Sequence, residues 1–380
     1  MHKIFFIAGE TSGDLHAAHL ASELYKIIPK DQLVVKAIGG IHLQNAGADI
    51  FFDSKSLGSM GLTEVLNKLP MYLNLERELL FQLSTFRPNV LVLVDFPGFN
   101  LRIAKKVKKL LPETKIVYYM PPQVWAWNQS RTKILAKYCD LVLCGLPFEE
   151  DFHKKRGVNA FYVGSPILYE LGKFDREKVR EEFGVKKNEL LIGLFPGSRK
   201  SEIHSMLPVL LKAAELLKKD FPNVRFLIAK AQTVNFEAGN IKILPIGNNH
   251  KLLCASDIVW LTSGTVTLEA ALYETPMILG YRSNAINYFL YLLVKRINMI
   301  GLPNIIAGVQ IVPELIQNQA IAENYFQITK SWLEKPEKLN EIKNLLKTVK
   351  EKITDKNASK EAALKIKSEF MADYKVATMK

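Results

Sequence analysis

The sequence predicts an α/β protein built as two Rossmann-like domains, each a doubly wound parallel sheet, facing one another across a cleft. Three observations carry that prediction. Short apolar runs alternate with amphipathic, helix-length runs from one end to the other, the pattern of successive right-handed βαβ crossovers. The short runs are apolar on both faces, as strands covered by helices on both sides must be. A chain of 380 residues, 48% of them hydrophobic, exceeds one ordinary core and suits two.

In the first half the predicted strands are Ile4–Ala8, Leu33–Ile38, Val90–Asp95, Ile116–Tyr119, Leu141–Cys144 and Phe161–Val163. All are rich in Val, Ile, Leu or Phe. Between them, Leu101–Leu111 sets Ile103, Val107 and Leu110 against lysines on the opposite side, a helical period. In the second half the predicted strands are Leu190–Phe195, Val224–Ala229, Ile241–Leu244, Ile258–Leu261 and Met277–Leu279, with Ile203–Leu217 as an intervening helix. The expected domains are 1–165 and 188–350, joined by a linker at 166–187 that carries the charged run KFDREKVREEFGVKKN. A basic helix is expected over 351–380, with nothing in the sequence to say where it docks.

A net charge of +13 and a pI near 9.4 suggest an anionic partner: nucleic acid, anionic lipid or a phosphorylated substrate. No nucleic-acid-binding module is visible. Cys139, Cys144 and Cys254 lie in apolar surroundings without zinc spacing and read as reduced thiols. The opening MHKIFFIAGE reads as a buried strand rather than a signal peptide. No run of about 18 apolar residues is present, so no membrane-spanning helix is expected and the chain is expected in the cytoplasm.

The chemistry-bearing residues cluster just after the strands, where open α/β sheets bind ligands. AGETSGDLH follows the first strand; it fits a capped turn into a helix, but Glu10, Ser12, Gly13, Asp14 and His16 together also suit a site. It is not a G-x-G-x-x-G dinucleotide fingerprint. Asp95 ends the apolar strand VLVLV in DFPGFN, with Asn100 closing the motif. It is either a turn cap or, with its pKa raised in dry surroundings, a general base. PPQVWAWN presents Gln123, Trp125 and Trp127 on a loop that packs on a ligand or on the core. FPGSRKSE brings Arg199 to a strand-to-helix turn, a phosphate-binding arrangement. TSGTVTLEAA places Ser263, Gly264 and Thr265 at the start of a helix and Glu269 about one turn inside. A pyrophosphate at the helix end and a ribose on Glu269 fit one nucleotide. Asn304, in GLPNIIAG, can donate and accept at once.

In this order, AGETSGD, SMGLTEVL, DFPGFN, PPQVWAW, LPFE, FPGSR, SGTVTLEAAL and LPNIIAG resemble the lipid-A-disaccharide synthase family across nearly the whole chain. The SGTVTLEA helix alone would indicate only the wider class of GT-B glycosyltransferases. The resemblance implies a two-domain GT-B fold. It implies transfer of 2,3-diacylglucosamine from its UDP derivative to the 6-hydroxyl of 2,3-diacylglucosamine 1-phosphate, with inversion and release of UDP. It implies Asp95 as the base and Arg199, Glu269 and Asn304 as cleft residues, with UDP in the second domain. The chain departs from the family at Gly98, where members often carry a second acid. No acidic metal cluster is evident, so neither an essential metal nor a cofactor is expected.

Both implied substrates carry acyl chains, which brings in an anionic inner-membrane surface as a partner, with a homodimer as a further option. Two segments suit lipid: Ala285–Val294, apolar nearly all round and followed by Lys295-Arg296, and Met60–Leu73. Both equally suit core packing. A UDP-N-acetylglucosamine 2-epimerase and a basic binding protein without enzymatic activity are the competing readings.

Overall fold

The computed structural model describes residues 1–56, 69–126, 128–230, 234–283, 298–353 and 356–371. Segment 285–294, residues 60–68 of the second lipid candidate, and Trp127 lie outside the described residues. The chain divides into two compact units, residues 1–166 with 355–380, and residues 167–354.

The first unit is organised around Val90–Val94 (β4), every residue of which is buried. A five-residue run of Val and Leu fits this place because side chains alternate between two covered faces. All strands here are parallel. They comprise His2–Ala8 (β1), Leu33–Gly39 (β2), Asp49–Asp53 (β3), β4, Lys115–Tyr119 (β5), Leu141–Cys144 (β6) and Ala160–Tyr162 (β7), in the order β3-β2-β1-β4-β5-β6-β7. β1 and β4 pair from Ile4 opposite Val90 to Ala8 opposite Val94. On one face Ile4, Phe6, Val92 and Val94 meet the helix Thr11–Ile27; on the other Phe5, Ile7, Leu91 and Leu93 meet the helices Leu69–Phe86 and Pro97–Leu110.

The terminal helix, Ala358–Phe370, belongs to this unit. Its Ala362, Ala363 and Ile366 are buried in the same cluster as Ile4 and Phe6. Lys367 Nζ donates to the Ile27 carbonyl at 2.9 Å, and Lys356 Nζ to the Tyr162 carbonyl at 3.1 Å.

The second unit repeats the plan. Its parallel strands are Leu190–Phe195 (β8), Val224–Ile228 (β9), Lys242–Ile243 (β10), Ile258–Thr262 (β11), Met277–Tyr281 (β12) and Glu314–Ile316 (β13), ordered β10-β9-β8-β11-β12-β13. β11 pairs with β8, Leu261 opposite Phe195. In each sheet the winding reverses once, between β1 and β4 and between β8 and β11. A crevice opens there because the following helices diverge to opposite faces. Among the described residues, no helix is long and apolar enough to cross a membrane.

Candidate functional site

The turns at both reversals carry most of the residues singled out in the sequence; Gln123 and Trp125 follow β5, and Asn304 precedes β13. In the first unit, β1 leads into residues 9–14 and β4 leads into Asp95. Asp95 and Phe96 both have left-handed backbone, φ +50° and +49°, a conformation that costs a non-glycine residue of the order of 1–3 kcal/mol. The surroundings hold it in place. Tyr118 Oη donates to the Asp95 carbonyl at 2.6 Å, and Asn100 Nδ2 donates to the same carbonyl at 2.8 Å. Gly9 is required beside it, because a Cβ there would collide with the Phe96 ring. The turn thereby lifts a half-buried carboxylate off the end of β4. Burial raises the Asp95 pKa, negative charge on Glu10 raises it further, and His16 pulls it back. Tyr72, Phe96 and Phe99 form an aromatic cluster around the turn, with Phe96 and Phe99 centroids 5.5 Å apart and Tyr72 6.1 Å from Phe96. Glu10 and Ser12 are exposed, Gln123 is exposed on the loop after β5, and His16 is half-buried. Gly13 is buried with room for an ordinary contact, its Cβ position 3.6 Å from Asp95 Cβ.

Three of the candidate residues in this unit are buried and hydrogen-bonded within the protein. Asp14 is buried and accepts from the backbone N–H groups of Gly40, His42 and Leu43 at 2.6, 3.0 and 3.3 Å. It caps the short helix Ile41–Asn45, not a substrate. Asn100 is fully buried, and its Nδ2 donates to the carbonyls of Ile7, Val94 and Asp95. Trp125 is 4% exposed and donates its indole N–H to Glu149 Oε1 at 2.8 Å. That carboxylate also accepts from the N–H groups of Gly145 and Leu146, while burial pushes its pKa up to about 7. The tryptophan is therefore part of a buried tie between the loops after β5 and β6.

In the second unit a cavity of about 550 Å³ lies at the β8/β11 reversal. It is lined by Arg199, Ser263, Gly264, Thr265 and Glu269 together, residues predicted from two separate motifs. Gly197 makes the first turn possible: its φ is +120°, and a Cβ would sit 2.6 Å from Glu202 Cβ. Glu202 Oε2 accepts from the N–H groups of Ser198 and Arg199 at 3.0 and 3.2 Å, which caps the helix Lys200–Asp220. The Arg199 side chain remains 80% exposed. The Thr265 side chain makes no cap bond, and the Ser263 hydroxyl donates to the Ile300 carbonyl instead. Neither side chain caps the helix Val266–Leu272.

Asn304 is not part of this cavity. It is fully buried, its Nδ2 donating to Val312 O and Glu314 Oε1 and its Oδ1 accepting from the N–H groups of Ile311 and Val312. With all four sites used, it is a brace between the helix Leu302–Ala307 and the approach to β13. Two residues absent from the sequence prediction lie at or beside this cavity. Lys230, after β9, adds a cation to the lining, and His250 Nε2 lies 3.4 Å from Glu269 Oε2. A lone histidine on the amphipathic run before β11 carries no spacing signal that would have marked it.

Residues 4–367 match the model of the family described as lipid-A-disaccharide synthetase. Lipid-A-disaccharide synthase of Nitrosococcus oceani is 38% identical over 330 residues, covering 84% of each chain. That of Myxococcus xanthus is 36% identical over 341 residues, 87% of this chain and 88% of the relative. Among solved structures, the UDP-GlcNAc 2-epimerase of Neisseria meningitidis bound to UDP-GlcNAc superposes with a TM-score of 0.61 at 13% identity, covering 97% of this chain and 99% of that one. Likeness at that identity shows the GT-B-type fold alone, which epimerases and glycosyltransferases share. The sequence relationships decide between them: the chain belongs to the lipid-A-disaccharide synthase family of glycosyltransferases.

Proposed function

We propose that this enzyme transfers 2,3-diacylglucosamine from its UDP derivative to the 6-hydroxyl of 2,3-diacylglucosamine 1-phosphate, with inversion, releasing UDP. The observation that carries the proposal is the division of labour between the reversals. One presents a half-dry carboxylate, Asp95; the other presents a cavity with Arg199, Lys230 and Glu269 on its walls. Asp95 takes the proton of the acceptor hydroxyl as its oxygen attacks the anomeric carbon, and the bond to the UDP oxygen breaks with its electrons leaving on the diphosphate. Arg199 meets that growing charge with a planar donor fork. Glu269 accepts hydrogen bonds from ribose hydroxyls.

Glu10, Ser12, Gly13, His16 and Gln123 lie around Asp95 or on neighbouring loops and are assigned to the acceptor side. His16 offsets the charge of Glu10 and so keeps Asp95 available as a base. Substrates with acyl chains place the enzyme peripherally on the cytoplasmic face of the inner membrane. The +13 charge supports an anionic surface there. The test is incubation of purified protein with both substrates in detergent, followed by mass spectrometry for the disaccharide 1-phosphate. Conversion of a UDP-sugar with no acceptor present would instead mark an epimerase. No product across several acyl lengths would overturn the assignment.

A further inference from the structure

His250 has no place in the mechanism above, yet its imidazole is hydrogen-bonded to two acceptors, the Glu269 carboxylate and the Glu170 backbone. Nε2 lies 3.4 Å from Glu269 Oε2, and the backbone of Glu170, in the short helix Ile167–Glu170, is hydrogen-bonded to the same ring. The ring packs 6.2 Å from that of Tyr273, whose hydroxyl donates to the Gly172 carbonyl at 2.7 Å. Around His250, then, the helix carrying Glu269 contributes one carboxylate and a neutral phenol. The segment around residue 170 contributes a second carboxylate, Glu170. Lys251, next on the chain, is turned to Glu182, 2.7 Å away.

A neutral imidazole owns one N–H and can serve only one acceptor as donor; an imidazolium owns two and serves both. The arrangement therefore favours the charged ring. The hydrogen bond to Glu269 raises the His250 pKa, and burial opposes it without reversing the direction. The Glu269 carboxylate, a negative charge on the wall of a cavity that would take a diphosphate, gains a partner that both orients it and offsets its charge.

We propose that His250, as an imidazolium, is a positioning residue for Glu269, and that loss of its charge weakens binding of a uridine diphosphate in this cavity. The proposal rests on the nucleotide assignment of the cavity. Deprotonation withdraws one of two hydrogen bonds and leaves an uncompensated carboxylate beside an anionic ligand. Binding therefore weakens as pH rises through the raised pKa. Arginine at this position keeps the charge at every accessible pH, whereas glutamine never has it.

The experiment is calorimetric titration of the full-length enzyme with UDP between about pH 6 and about pH 9, on the wild type, His250→Gln, His250→Arg and Arg199→Ala. UDP itself titrates in this range, so affinities are compared as ratios of wild type to variant at each pH. The wild type is expected to bind about tenfold more tightly than His250→Gln at the acid end and to converge on it at the alkaline end. His250→Arg is expected to hold its affinity where the wild type loses it. A ratio of one between wild type and His250→Gln at every pH, with Arg199→Ala still weakened, would sink the role of His250 and leave the nucleotide site standing. No binding of UDP by the wild type at any pH would remove both.

Discussion

At the reversal of the first sheet the chain leaves β4 through two non-glycine residues in left-handed conformation, braced from below by Tyr118 and Asn100. At the reversal of the second it leaves β8 through Gly197, which adopts φ +120° without strain, and ends in an arginine whose side chain is 80% exposed. The topologies match, strand for strand, up to the seventh strand of the first sheet. The first turn uses surrounding hydrogen bonds to hold one carboxylate in a half-dry, aromatic setting. The second sets an exposed arginine, 3.6 Å from Glu202, on the wall of an open cavity. A base needs a perturbed pKa and therefore burial; an anion site needs available donors and therefore exposure. Strand order supplies the location, and the turn residues supply the chemistry.

That contrast can be broken at several points. Asp95→Asn should lower kcat by roughly 10²–10⁴-fold, while UDP affinity measured by calorimetry stays unchanged; equal turnover would remove Asp95 from its role. Arg199→Ala should do the reverse, weakening UDP binding by about one to two orders of magnitude and leaving the acid limb of the pH profile in place. Tyr118→Phe deletes one of two braces on the strained turn. It should cost about 1 kcal/mol in denaturant unfolding and lower kcat more than it raises KM, because the misplaced group is the base.

The pH dependence follows from the sign of the Asp95 shift. A base must be ionised, and the raised pKa of Asp95 moves the loss of activity with falling pH to higher pH than an ordinary aspartate would give. Glu10→Gln removes one cause of the elevation and should shift that limb toward acid; a limb that stays put would show that Glu10 does not act on the base. Smallest of all, EDTA should leave the rate unaltered. Activity that disappears with EDTA and returns with Mg²⁺ would show that Arg199 and its neighbours do not carry the diphosphate charge alone.

The strands visible in the sequence included every central one and the edge strands β7 and β10. Val90–Val94 and Ile258–Thr262 are apolar throughout because both their faces are covered. Asp49–Asp53 and Glu314–Ile316 were not predicted. Each lies at a sheet edge, half-exposed and flanked or led by acids, and so lacks the continuous apolar run. The placing of Asp95 at the end of β4, and of Arg199 and Glu269 on one cavity wall, was legible because each follows an apolar strand or a tight turn into a helix. The internal hydrogen bonds of Asp14, Asn100, Trp125 and Asn304 were not legible, for a common reason. A polar side chain that binds buried backbone and one that binds a ligand look alike in sequence, since both are polar residues beside tight turns.

The sequence by itself determined the alternation of strands and helices and the placing of reactive residues at strand ends, because both depend on local periodicity and turn chemistry. Only the tertiary structure decided which strands are neighbours, and hence that the turns after β1 and β4 lie side by side in one unit and those after β8 and β11 in the other. It also decided that the helix Ala358–Phe370 returns to the first unit, and that His250 faces Glu269. These are contacts between residues distant in the chain. Their energy comes from burial and from hydrogen-bond partners that no local window of sequence contains.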